Sequence, residues 1–226
     1  MTKTCSSLAS PQTASTSRRW RAMNIFAAGL VAMALLAMSV ACSTETSKPA
    51  EPVKEEPKGP ELVTGRTAFQ KTFIAARGWN RDAQPYRIES LATADGNGKE
   101  GKAALWKGSF ASATQRATKS WTWSGSAAPN APARGVYPGT EDSYSPTNAS
   151  TQVFDGAFLK IDSDQAFAVA QKHGGEKALQ QTPDTAVSYM CDWNHNTNEL
   201  VWHVIYGNKL RVAVNASTAE FIRVEK

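Results

Sequence analysis

Residues 23 to 42 read MNIFAAGLVAMALLAMSVAC, and within that run only Asn24, Gly29 and Ser39 fall outside the hydrophobic set. No acidic residue occurs before Glu45, and Arg18, Arg19 and Arg21 stand just ahead of the run. A cationic stretch, an apolar core and small residues closing on a cysteine make an export signal. Leu, Ile, Phe and Val favour insertion into lipid while the arginines stay on the cytoplasmic side. This feature divides the 226-residue chain: residues 1–41 are expected to be a signal peptide, and the fold must be built from the residues beyond them.

The end of the run, Ser39-Val40-Ala41-Cys42, resembles the bacterial lipobox, in which a small residue precedes a cysteine that is diacylated and becomes the new N-terminus. Val40 and Ala41 fit, and Ser39 stands where Leu is usual. The resemblance implies lipidation at Cys42. Residues 43–61 hold Pro49, Pro52, Pro57 and Pro60 and no aromatic residue, so residues 42–61 are read as a lipidated cysteine on an extended, disordered tether. Stable anchoring takes more than one acyl chain, which a diacylated cysteine supplies. Plain cleavage and a retained helix over 25–41 remain open alternatives, although that stretch is short beside the roughly 20 residues that span a bilayer. Ser17-Arg18-Arg19-Trp20 is similar to a twin-arginine signal, with Arg21 where that motif prefers Phe. The localisation expected is the cell envelope, with the protein lipid-anchored on the outer side of the cytoplasmic membrane or to the outer membrane.

The formal charge of +5 and pI near 9.1 would ordinarily raise nucleic acid as a partner. Of the 25 basic residues, Lys3, Arg18, Arg19 and Arg21 precede Cys42, whereas all 20 acidic residues lie beyond it, leaving the mature part at +1. The basic balance therefore belongs to the signal, and no nucleic-acid partner is expected. The cysteines Cys5, Cys42 and Cys191 divide similarly: one goes with the signal, one carries lipid, and one has no partner for a disulfide.

Past residue 61 two blocks share one order. In residues 62–124, a helix is predicted from Ala68 to Arg77, with Phe69, Phe73 and Ala76 on one face and Gly78 ending it. Strands are predicted next at Tyr86–Glu89, Ala103–Phe110 and Lys119–Trp123, with an Asp95-Gly96-Asn97-Gly98 turn between the first two. In residues 153–226, Asp162 or Ser163 caps a helix over Asp164–Lys172, with Phe167 and Ala170 inward and Gly174-Gly175 stopping it. Strands at Ala186–Trp193, Leu200–Tyr206, Leu210–Val214 and Phe221–Val224 complete the block, with Gly207-Asn208 as a hairpin signal. Phe69 and Phe167 lie 98 residues apart, Trp106 and Trp202 96 apart. The expected class is α+β, as two tandem units, each a helix packed on a small antiparallel sheet. Residues 125–152, rich in Pro, Gly, Ser and Asn, are read as a linker or long loop.

Residues 163–224 resemble a PepSY-type domain: Ser163-Asp164-Gln165-Ala166 opens the helix, Trp202-His203-Val204 forms a strand, and Val212 to Phe221 carries the closing pattern. Asn215 and Ala219 stand where that family commonly has aspartate and glycine, and residues 65–124 are a fainter copy. The resemblance implies a role outside the cytoplasmic membrane, inhibiting or chaperoning a peptidase, and it brings no catalytic residues.

Chemistry-bearing residues are few. His173, His195 and His203 are the only histidines, and Cys191, His195 and His203 lack paired ligand spacing, so no metal and no cofactor is expected. Cys191 has no sequence-adjacent base to activate it. Asp155, Asp162 and Asp164 read better as helix-start residues than as calcium ligands. No nucleophile–base motif is present, and the chain is expected not to be an enzyme. Trp121 and Trp123 lie two apart on one strand face and are the candidate ligand-binding pair, against the alternative that they are core. The expected function is a lipid-anchored, non-catalytic envelope protein that binds a protein or peptide partner. The alternative is a peptidoglycan or glycan binder using exposed tryptophans.

Overall fold

A computed structural model describes residues 59–225. The expected signal peptide, Cys5, Cys42 and most of the tether lie outside the described residues. The tether's last residues are tied to the body, since Glu61 donates its N–H to Gly125 O at 2.8 Å. Among the described residues no helix is long and apolar enough to cross a membrane.

The fold is α+β, with one large antiparallel sheet and few helices. The elements run β1 (Val63–Thr64), α1 (Gly65–Trp79), β2 (Gln84–Leu91), β3 (Lys102–Ala103), β4 (Leu105–Ser112), β5 (Ala117–Ser124) and β6 (Gly135–Ser143). They continue with α2 (Ser163–Ala170), α3 (Glu176–Gln181), β7 (Val187–Asn194), β8 (Glu199–Tyr206), β9 (Leu210–Asn215) and β10 (Phe221–Glu225). Eight strands form one sheet in the order β10-β9-β8-β7-β2-β4-β5-β6, and β1 pairs separately with β3. Two separate small sheets were the expectation. Instead β2 and β7 join, with Arg87↔Asp192, Ile88↔Cys191 and Glu89↔Met190 in register, so strands from both blocks share one ladder.

Two element boundaries differ from the sequence reading for local reasons. Gly78 lies inside α1 with open space around it, and the helix ends at Asn80, whose N–H reaches Ala76 O. Gly174, at φ 109°, breaks helical geometry as expected, although α2 itself ends at Ala170 and α3 resumes at Glu176 directly after the kink. Within the expected linker, β6 is a nine-residue strand paired along β5. Its Pro138, Gly139, Glu141 and Asp142 read as loop residues, yet on an edge strand they are compatible with pairing on one side only.

All three helices pack on one face. That face carries Ile88, Trp106, Phe110, Trp121 and Trp123 from the first half, and Tyr189, Cys191, Trp202, Val204, Tyr206, Val212 and Val214 from the second. At its centre Trp106 and Trp202, 1% and 0% exposed, meet edge to face at 6.3 Å. Each indole donates to the backbone just ahead of a helix: Trp106 Nε1 to Val63 O at 3.0 Å, and Trp202 Nε1 to Ile161 O at 2.9 Å. The helix starts are linked as well. Gly65 N donates to Ser163 Oγ at 2.8 Å, Thr64 Oγ1 to Asp162 Oδ2 at 2.7 Å, and Arg66 N to Asp162 Oδ1 at 2.8 Å.

Gly65 is fixed by space: a Cβ there would stand 2.7 Å from Trp202 Cη2 and 2.9 Å from Trp106 Cζ3. Gly65→Ala is therefore expected to lower unfolding free energy by about 1–3 kcal/mol through overpacking, read from the urea midpoint. An unchanged midpoint would show that both indoles can move aside freely.

Candidate functional site

Strand alternation places opposite side chains on the sheet's second face, where no described helix packs. In register, one row crosses all eight strands: Arg223, Ala213, His203, Met190, Glu89, Lys107, Thr122 and Tyr137. A second row carries Asn215, Val201, Asp192, Arg87, Ser109 and Ser120.

The charges on this face are matched within the protein. Lys107 Nζ meets Glu89 Oε1 at 2.6 Å, and Arg87 Nη2 meets Asp192 Oδ2 at 3.2 Å. His203 is held between two carboxylates, with Nε2 3.3 Å from Asp192 Oδ1 and Nδ1 2.9 Å from Glu225 Oε2. Glu225 also takes Arg211 Nε at 2.7 Å and Arg223 Nη2 at 2.6 Å. Ala213 lies between His203 and Arg223 in register, and its small side chain leaves room for these groups to meet across β9.

Burial works to raise the Asp192 pKa, but the hydrogen bond and charge of His203, with Arg87, outweigh it and hold the carboxyl below its usual value. Glu225 is likewise pushed up by burial and pulled further down by His203, Arg211 and Arg223. Between β2 and β6 the face dips into a shallow open depression of about 220 Å³, lined by Tyr86, Arg87, Glu89, Lys107, Ser109 and Ser120 among others. Arg87 Nε is the one buried side-chain polar atom without a hydrogen-bond partner among the described residues.

The residues singled out from sequence fall elsewhere, with one exception. Trp121 and Trp123 are 5% and 3% exposed and lie under α1. Trp79 packs on Trp121, and Lys71 Nζ sits 4.7 Å from the Trp123 ring. Their shared strand face is the helix-covered one, so they offer no exposed platform to a glycan. Cys191 is fully buried on that same face, and burial pushes its thiol pKa well up, while His195 is exposed in the β7–β8 turn. His173 stacks on Phe221 at 3.8 Å. Asp162 completes a capping box with Gln165, and Asp155 accepts Ala157 N at 2.9 Å. Only His203 reaches the open face. Among the described residues, no group of three or more His, Cys, Asp or Glu is arranged to hold a metal ion.

Sequence reasoning missed Arg87, Glu89, Lys107, Asp192, Arg211, Arg223 and Glu225. Their signal was the polar half of the same alternation that located the core, together with the strand order that brings them into line.

Comparison with protein-family models, with curated proteins and with solved structures finds no match to this chain.

Asp192 and Glu225 titrate lower folded than unfolded, so the unfolded chain binds more protons on acidification. Their stabilisation is full above about pH 4, the ordinary carboxylate range, and is lost as pH falls through the folded values. Urea unfolding from pH 6 to pH 2 should therefore show a shallower acid decline in the Asp192→Asn/Glu225→Gln double variant than in the parent. Parallel declines would mean that the two carboxylates contribute nothing on this limb.

Proposed function

We propose that the chain is an exported, lipid-anchored, non-catalytic envelope protein that docks a folded protein partner on the uncovered face of its sheet. The observation that carries this reading is the one-sided coverage: all three helices lie on one face, and the other, on which no described helix packs, carries cross-strand ion pairs with Val201, His203 and Ala213 buried among them. Eight strands of five to nine residues, at about 4.8 Å spacing and about 3.4 Å rise per residue, give a face of roughly 600–1,000 Å². That area is close to the roughly 800 Å² each partner contributes to a standard protein interface. Strand addition at an edge is less favoured, because β6 carries Pro138 and acidic residues and β10 carries Arg223 and Glu225.

The reading retains modulation of a peptidase as the partner's role, in keeping with the PepSY-type resemblance of residues 163–224. It also retains an internal duplication. The separation of 98 residues between Val63 and Ile161, the carbonyls that receive the two indoles, supports a fused pair of helix-plus-strand units sharing one sheet. Anchoring at Cys42 would keep the face within tether reach of the membrane.

Two experiments test the reading. Met190→Arg or Thr122→Arg, each adding a long charged side chain to the open face, should abolish capture of the partner from envelope extract without shifting Tm. Ile74→Arg, at a position 74% exposed on α1, should leave capture intact. Equal recovery with all three variants would remove the face as the docking surface. Separately, Cys42→Ala should move the protein out of the membrane fraction, and continued membrane retention would remove the lipid anchor.

A further inference from the structure

The depression between β2 and β6 has hydrogen-bonding capacity that the protein itself leaves unused. Arg87 faces Ser109 and Ser109 faces Ser120 on successive strands, forming a polar line whose members are about 4.8 Å apart. Neither serine hydroxyl bonds to another described residue. Arg87 commits only Nη2, to Asp192, and its Nε finds no acceptor. On the adjoining edge strand, a Cβ at Gly139 would collide with Ser120 Oγ, so the absence of a side chain there keeps this end of the line uncovered. Tyr86 is among its lining residues.

The charges define what fits. Lys107 is matched by Glu89, Arg87 by Asp192 and Lys119 by Glu141, which leaves Asp142 as the lining charge without an ion pair among the described residues, so the site does not call for an anionic ligand. Its unused groups are the two serine hydroxyls and Arg87 Nη1, since Nε is unpaired but buried, and its lining includes one aromatic residue, Tyr86. A ligand with hydroxyls spread around a compact ring answers that pattern, and a pyranose is comparable in breadth to the strand spacing. An apolar ligand would leave the serines and Arg87 without partners, which carries a desolvation penalty.

We propose that this depression is a saccharide subsite that seats one sugar ring over Arg87, Ser109 and Ser120. It differs from the exposed-tryptophan site expected from sequence, since Trp121 and Trp123 lie on the opposite face. It also goes beyond the docking of a protein partner, because it requires no partner to form.

Saturation-transfer NMR on the full-length protein tests it, with chitotetraose, maltotetraose and the N-acetylglucosamine–N-acetylmuramic acid disaccharide as probes and sorbitol as the acyclic control. At least one saccharide should give a saturable signal that sorbitol does not. The double variant Ser109→Ala/Ser120→Ala should weaken it about tenfold, the scale expected for losing two hydrogen bonds. Gly139→Ala, which fills the site from the side, should weaken it with Arg87 and both serines intact. Circular dichroism and Tm establish that each variant is folded. Silence across the panel, an equal response to sorbitol, or an undiminished signal in both folded variants would overturn the proposal. Loss of saccharide binding with partner capture intact would separate this site from the docking face, and the Met190→Arg result stands independently of either.

Discussion

The contact on which the rest of the structure depends is the meeting of Trp106 and Trp202. Each indole buries its rings in the core and commits its one N–H to a carbonyl just ahead of a helix. Strands from the two blocks are thereby tied to the starts of α1 and α2. Because the rings also meet each other, the two blocks cannot move independently without separating them. Gly65 permits this approach, and Asp162 and Ser163 satisfy backbone N–H groups at both helix starts, of which the Gly65 N–H is buried and would otherwise lack a partner.

One-sided burial explains the chemistry of the other face. A sheet with helices on one side can keep its second side in contact with water and read as alternating apolar and polar positions, although here Val201 and Ala213 on that side are buried as well. Here the polar positions are organised into pairs that bridge strands, so long charged side chains are held in place by their neighbours. Individually, such half-exposed pairs contribute about 0–1 kcal/mol, and their effect lies more in ordering the surface than in holding the fold. An ordered, neutral surface also loses less side-chain entropy when covered than a field of free lysines would.

The sequence was most informative where one period ran undisturbed. β7, β8 and β9 were legible from Val187, Tyr189 and Cys191, from Leu200, Trp202 and Val204, and from Val212 and Val214, because burial on one face leaves a clean period of two. β6 was not legible, since an edge strand needs neither apolar alternation nor a full set of N–H donors, and Pro138 and Gly139 therefore pointed to a loop. The single sheet was hidden for another reason. The joint between β2 and β7 links residues about 100 positions apart, and nothing local marks Ile88 as the neighbour of Cys191. The open-face groups escaped notice on the same ground: Asp192, His203 and Glu225 have no meaning as a set until the strand order is known. Trp121 and Trp123 show the converse limit, since alternation places both indoles on one face without saying which face is covered.

The same joint gives Cys191 a property that its inertness conceals. It sits where the two halves of the sheet meet, fully shielded, and it is the one free cysteine among the described residues. A thiol reagent can reach it only while β2 and β7 are parted or the helices above them have lifted. The rate at which Cys191 becomes modified is therefore a built-in clock for the opening of that seam. It reports how often one half of the sheet lets go of the other without any label being added to the chain.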